Sequence, residues 1–183
     1  MKKEIKRQTL HLLVGIVALL ILLLYGRDFA IAVIFMALVG GTLVINTRLL
    51  GMKSAIIEWA EQFEREDVLF LGWGLASYLA GMLISLTFLT DINQIAASIF
   101  ILTIGDGFST IIGCKGRIRL PYNKKKTFEG STAFLLSSLP AYYFVGPAII
   151  PLALIATIVE SMPIPVDDNL TIPIVCTIFF LVV

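Results

Sequence analysis

Long apolar runs dominate this chain, and they decide what it can fold into. Residues 9–25, 29–46, 68–89, 93–113, 127–145 and the stretch from there to 162 are each apolar over most of their length. That length is close to the roughly 20 residues a helix needs to cross a hydrocarbon core. In lipid every backbone polar group must be satisfied internally, so such runs form helices or a closed barrel. They show no alternation of period two, which selects helices. Composition agrees: of 183 residues 58% are hydrophobic and 15% charged, with mean hydropathy +0.94. A soluble domain is nearer ~45–50% apolar. The reading is an all-α integral membrane protein, one domain over residues 1–183, with about seven transmembrane helices and one interfacial amphipathic helix.

The connections give this outline its details. Residues 47–67 place Met52, Ile56, Trp59 and Phe63 at helical spacing, with Glu58, Glu61 and Glu64 between them. This predicts an amphipathic helix lying in the interface, anchored by Trp59. The run over 68–89 holds Gly72, Gly74, Ala76, Ser77, Ala80 and Gly81, small residues that permit close helix packing. Gly146-Pro147 predicts a tight turn, and Pro163-Ile164-Pro165 a helix break. The last run, 170–183, is short for a full crossing and contains Pro173. The basic start does not read as a cleaved signal peptide, because no small-residue cleavage site follows and Arg27-Asp28 leads into another apolar run. Thirteen of the fourteen Lys and Arg residues fall on one side of this topology, Arg27 being the exception. The positive-inside rule makes that side, and the N-terminus, cytoplasmic.

The same side collects the charges that topology alone does not require. Asp106, between Gly105 and Gly107, lies inside an apolar run, where an ionisable group is costly and therefore a functional candidate. Six cations follow, Lys115, Arg117, Arg119, Lys124, Lys125 and Lys126, and then Thr127, Glu129 and Gly130. Thr127 is a good helix N-cap and Glu129 suits a helix N-terminus. Glu160 ends a helix, where the dipole disfavours it. Asp167 and Asp168 double a charge that a turn does not need, and either they or Asn169 would cap the last helix. Arg7 and His11 are one helical turn apart at the same membrane face. Carboxylates converging from separate helices suggest a hard cation such as Mg²⁺ with oxygen ligands. Cations interleaved with them suit a magnesium–polyphosphate complex. Asp106, Glu129, Glu160, Asp167 and Asp168 are the metal candidates. Lys115, Arg117, Lys124, Lys125, Lys126, Thr127, Gly130 and Asn169 are the phosphate and nucleotide candidates, and Arg7 and His11 the substrate contacts. There is no GxxxxGK[ST] P-loop. Cys114 and Cys176 are far apart and read as small apolar residues. Net charge is +1, so no nucleic-acid partner is expected.

Four segments in order carry a resemblance: Lys6-Arg7-Gln8-Thr9-Leu10-His11; Gly105-Asp106-Gly107 with Gly113; Lys126-Thr127-Phe128-Glu129-Gly130-Ser131; and Glu160-Ser161-Met162-Pro163 followed by Asp168-Asn169 and Pro173. Together they resemble the polyprenol kinase family, which includes dolichol kinase, phytol kinase and the CTP-dependent diacylglycerol kinase. The resemblance implies transfer of a phosphoryl group from CTP to a membrane lipid alcohol with a divalent cation. It points to Asp106, Lys126, Thr127, Glu129, Gly130, Glu160, Asp168 and Asn169. Asp106, Lys126, Glu129 and Asp168 are the expected catalytic residues, with Asp106 or Asp168 taking the hydroxyl proton. The lipid tail would enter sideways from the bilayer. Which alcohol it carries, and whether the chain forms a homo-oligomer, stay open.

Two other functions fit parts of the pattern. A CTP-dependent cytidylyltransferase would use the same nucleotide, but its Pro-Gly-His-Gly-Gly signature is absent. An ion- or proton-coupled transporter would place its charges near the bilayer midplane in repeated, interrupted helices, whereas here they gather at one face.

Overall fold

The computed structural model describes residues 2–49, 51 and 72–183. The expected interfacial helix lies mostly outside these residues. Among the described residues the chain is helical: α1 (Lys2–Tyr25), α2 (Arg27–Leu49), α3 (Trp73–Phe88), α4 (Ile92–Phe100), α5 (Asp106–Gly113), α6 (Phe128–Ser138), the single turn α7 (Tyr142–Val145), α8 (Ile149–Ser161) and α9 (Asp168–Val182). A π-helical segment, Ile101–Gly105, joins α4 to α5 without a break. Among the described residues four helical runs are long and apolar enough to cross a membrane: Glu4–Tyr25, Arg27–Thr47, Ile92–Gly113 and Phe128–Ser161. Trp73–Phe88 and Asp168–Val182 are shorter apolar helices.

The Phe128–Ser161 run doubles back. Gly146 takes φ +58°, a backbone open to glycine, and is followed by Pro147. The two legs, α6 and α8, pack on each other. Their outer ends meet, since Lys126, just before α6, reaches Glu160 in the last turn of α8. The Ile92–Gly113 run is central, with 67% of its apolar window buried, against 11% for Arg27–Thr47. The outward faces of α1, α2 and α8 carry Leu13, Val17, Leu20, Met36, Leu43, Ile150, Leu154 and Ile158. An apolar belt of this extent belongs in lipid rather than water.

Small residues set the helix spacing. A Cβ at Gly15 would lie 2.2 Å from the Tyr78 hydroxyl and 2.1 Å from Thr103 Oγ1. That gap lets Tyr78 Oη reach the His11 carbonyl at 3.1 Å and Thr103 at 2.8 Å, tying α1 to α3 and to the π segment. Between α3 and α9 the reason is more specific. Pro173 has no N–H for the Asn169 carbonyl one turn earlier. The freed oxygen faces Gly81, where a Cβ would sit 2.0 Å from it. Only glycine allows this approach, which holds the start of α9 against α3.

One end of the bundle is closed by ordinary capping. Arg27 donates to the carbonyls of Leu86 (2.7 Å) and Thr87 (3.0 Å) at the C-terminus of α3, where a cation complements both orphan carbonyls and dipole. Asp91 caps α4 by accepting from Asn93 N at 2.7 Å. The opposite end gathers the start of α1, the end of α5, the starts of α6 and α9, and the end of α8. The site lies there.

Candidate functional site

The site is built on a hairpin between α5 and α6. Arg119 and Thr127 form an antiparallel bridge, with Leu120 N donating to Lys126 O at 3.1 Å and Phe128 N to Ile118 O at 2.9 Å. The hairpin is pinned to the end of α8. Asn123 Nδ2 donates to the Ser161 carbonyl at 3.0 Å, and the Tyr122 and Ser161 hydroxyls are 2.9 Å apart. Ser161 follows Glu160, so the same docking delivers Lys126 to Glu160. Thr127 then caps α6, accepting from Gly130 N at 3.1 Å, as the sequence predicts.

Lys126 Nζ donates to Glu160 Oε1 at 2.5 Å and to Asp168 Oδ2 at 2.7 Å. Asp106 completes a trio: one carboxylate oxygen from each of Asp106, Glu160 and Asp168 lies within 4.8 Å of the others. The three come from α5, α8 and α9. Asp106 and Glu160 are buried, and Ser109 Oγ donates to Glu160 Oε1 at 2.8 Å. Burial works against the charge on Lys126, but Asp168 and Glu160 outweigh it, so its pKa is raised and it stays an ammonium. The ladder of α5 explains Asp106. The π-helical segment ends at Gly105, and such an insertion rotates the residues after it relative to a straight α-helix. Its effect here is to aim Asp106 and Ser109 at α8.

The trio opens into a cavity of about 1200 Å³. Arg7, His11, Lys124, Lys125, Lys126, Thr127, Gly130, Asp167 and Asn169 all line it with Asp106, Glu160 and Asp168. Lys115, Arg117 and Glu129 stand apart from its wall. The Glu129 carboxylate accepts from the backbone N–H groups of Arg117 (2.7 Å) and Ile118 (3.2 Å), which fixes the first strand of the hairpin. Asp167 caps α9, accepting from Asn169 N at 3.0 Å. Asn169 donates to the Gly74 carbonyl and to Ser77 Oγ, each at 3.2 Å. These two residues therefore hold α9 in place, while Asp168 faces the lysine. Arg7 pairs with Glu4 one turn earlier.

The structure adds residues that were not singled out in the sequence. Gln8 and Ser131 line the cavity, and Gln8 is buried. Gln8 was legible in principle: Glu4, Arg7, Gln8 and His11 fall at i, i+3, i+4 and i+7, one face of a helix. Four cavity-lining side chains carry a buried polar atom with no hydrogen-bond partner among the described residues: Arg7 Nε, Gln8 Oε1, Ser131 Oγ and Glu160 Oε2. Buried polar atoms are nearly always paired, so this concentration marks a place that a ligand completes. The trio with its lone Glu160 Oε2 suits a hard divalent cation, which takes carboxylate oxygens.

Fold and site together define a helical membrane protein with a buried carboxylate–lysine centre at one end of its bundle. An uncharacterized protein of Methanocaldococcus jannaschii is 34% identical over 178 residues, covering 94% of this chain and 90% of that protein. A probable phytol kinase of Triticum aestivum, described as chloroplastic, is 36% identical over 114 residues, covering 51% of this chain and 38% of its own length. The chloroplastic farnesol kinase of Arabidopsis thaliana is 28% identical over 195 residues, covering 93% of this chain and 62% of its own. The chain thus spans less than two thirds of these two plant relatives. No family model matches the chain, and no solved structure matches it. The relatives named phytol kinase and farnesol kinase support a polyprenol kinase-like family for this chain.

Proposed function

We propose that this chain is a CTP-dependent kinase that phosphorylates the hydroxyl of a membrane lipid alcohol at the cytoplasmic face of the bilayer. The observation that carries the reading is the trio Asp106, Glu160 and Asp168, drawn from three helices, the last two bridged by Lys126, in a cavity rimmed by further cations. Catalysis of phosphoryl transfer is mostly positioning and charge stabilisation, and this arrangement supplies both. Relatives named phytol kinase and farnesol kinase support a lipid alcohol as the acceptor.

Asp106, Glu160 and Asp168 would hold a divalent cation, which when bound neutralises charge on the nucleotide phosphates. Lys124, Lys125 and Lys126 bind phosphate oxygens and offset the negative charge that grows on them. Glu160 and Asp168 are both paired to Lys126, whereas Asp106 takes no ion pair among the described residues. Of the three, Asp106 is the one not held by Lys126, and it would accept the proton of the alcohol. The alcohol oxygen bonds to the γ-phosphorus, the bond from that phosphorus to the β,γ-bridging oxygen breaks, and CDP leaves. The one-sided distribution of Lys and Arg supports a cytoplasmic site.

The test is an assay of the purified protein with CTP labelled at the γ or the α phosphate, a panel of lipid alcohols, and ATP as competing donor. Label reaching lipid from the γ position alone supports the kinase. Label from the α position would mean nucleotidyl transfer. Faster transfer from ATP than from CTP would overturn the donor assignment.

A further inference from the structure

We propose that Gln8 is a substrate-contact residue whose carboxamide hydrogen-bonds the hydroxyl of the acceptor alcohol in the cavity it shares with Asp106. The inference rests on the kinase reading for the identity of the ligand, and on geometry for everything else. Gln8 is 2% exposed and lines the cavity. Its Oε1 is buried with no partner among the described residues. An unpaired buried amide is destabilising, so its presence calls for a ligand rather than a packing role.

Its position says which part of the ligand. A Cβ on Gly107 would lie 2.7 Å from Leu12 Cδ2, so α1 and α5 touch next to Asp106. Gln8 is one turn before Leu12 on the same helix face. α1 begins at the site and runs away from it while α5 runs toward it and ends there, so Gln8, one turn nearer the site end than Leu12, lies level with the turn of α5 that follows Gly107 and carries Thr110. Beyond this contact α1 presents Leu13, Val17 and Leu20 outward, the direction from which an apolar tail arrives.

Chemistry selects the hydroxyl over phosphate. A carboxamide both donates and accepts, and so does a hydroxyl. A phosphate only accepts, and would leave the amide oxygen unpaired. Arg7, the neighbouring residue, has only donors and suits phosphate instead.

The experiment replaces Gln8 with methionine, which keeps volume and removes the unpaired polar group. With phytol as acceptor, Gln8→Met should raise the KM for alcohol about tenfold, the worth of one hydrogen bond, and leave the KM for CTP within about twofold. Its melting temperature in detergent should equal or exceed that of the native protein, because a structural Gln8 would instead lower it. An unchanged alcohol KM, a rise in the CTP KM alone, or a fall in melting temperature would each overturn the proposal. The kinase reading is separated by a second measurement, the rise in melting temperature on adding phytol without nucleotide. If the native protein transfers no phosphate yet gains stability that Gln8→Met does not, the contact stands and the kinase reading fails. An equal gain in both proteins, or none in either, sinks the contact.

Discussion

The interior and the site end of the helix bundle treat buried polar groups in opposite ways. In the interior Ser85 Oγ lies 2.6 Å from Ser98 Oγ and 3.2 Å from Thr177 Oγ1. At the far end the partly buried Arg27 closes the C-terminus of α3 and the exposed Asp91 caps α4. At the site end Arg7 Nε, Gln8 Oε1, Ser131 Oγ and Glu160 Oε2 on the cavity wall, and Thr171 Oγ1 off it, are buried without partners among the described residues. Paired groups hold helices together where no hydrophobic effect drives them. Unpaired ones lower stability, and they are retained where a ligand supplies the missing half. The contrast separates polar residues that build the fold from those that serve chemistry.

The contrast can be broken most sharply at Asp106. Asp106→Asn removes the proposed proton acceptor and one carboxylate of the trio while preserving shape. Transfer of γ-phosphate to alcohol should fall by a factor of about 10³ or more, with the protein still eluting as a folded species on size exclusion in detergent. Near-native turnover would remove Asp106 from the chemistry.

Lys126 sharpens the comparison, because it pairs with two carboxylates at the site end. Lys126→Met strips the buried Glu160 of its cation, and breaking such a pair costs about 3 kcal/mol. Thermal denaturation should show that loss. Adding Glu160→Gln should restore most of it, since the uncompensated charge is then gone. A single variant as stable as the native protein would mean the pair is not what holds α8 against the hairpin.

The smallest effect belongs to the interior. Ser85→Ala should cost about 0.6 kcal/mol, the typical worth of a hydrogen bond between helices in a membrane, and change kcat and both KM values by less than about twofold. A large loss of activity there would show that the interior is coupled to the site and that the two regions are not separate.

How far the site was legible depended on the kind of reasoning each residue needed. Asp106 stood out because a carboxylate in an apolar run is rare. Glu160 stood out because it opposes the helix dipole. Glu129 carries the same charge in a similar motif, yet its carboxylate turns to the Arg117 and Ile118 amides, 2.7 and 3.2 Å away. No one-dimensional pattern says which way a side chain at the mouth of a helix will turn. Asn169 reads in the sequence as a nucleotide candidate or a helix cap, and its amide donates to Gly74 and Ser77 of a helix more than ninety positions away. Gln8 was hidden because glutamine in a basic N-terminal segment reads as solvated until the packing of α1 against α5 buries it.

The sequence by itself determined that this is a chain of helices suited to lipid, because runs of apolar residues leave the backbone no other way to satisfy its hydrogen bonds. It determined the helix break at Pro163-Ile164-Pro165, the reversal at Gly146 and the Thr127 cap, each set by a residue's own backbone or side-chain chemistry. Only the tertiary structure decided which three carboxylates share a centre, since Asp106, Glu160 and Asp168 meet through contacts among α5, α8 and α9. It also decided that Lys126, out of six neighbouring cations, is the one that bridges two of them. That choice follows from the docking of Asn123 and Tyr122 on Ser161, a contact between residues nearly forty positions apart that neither segment specifies alone.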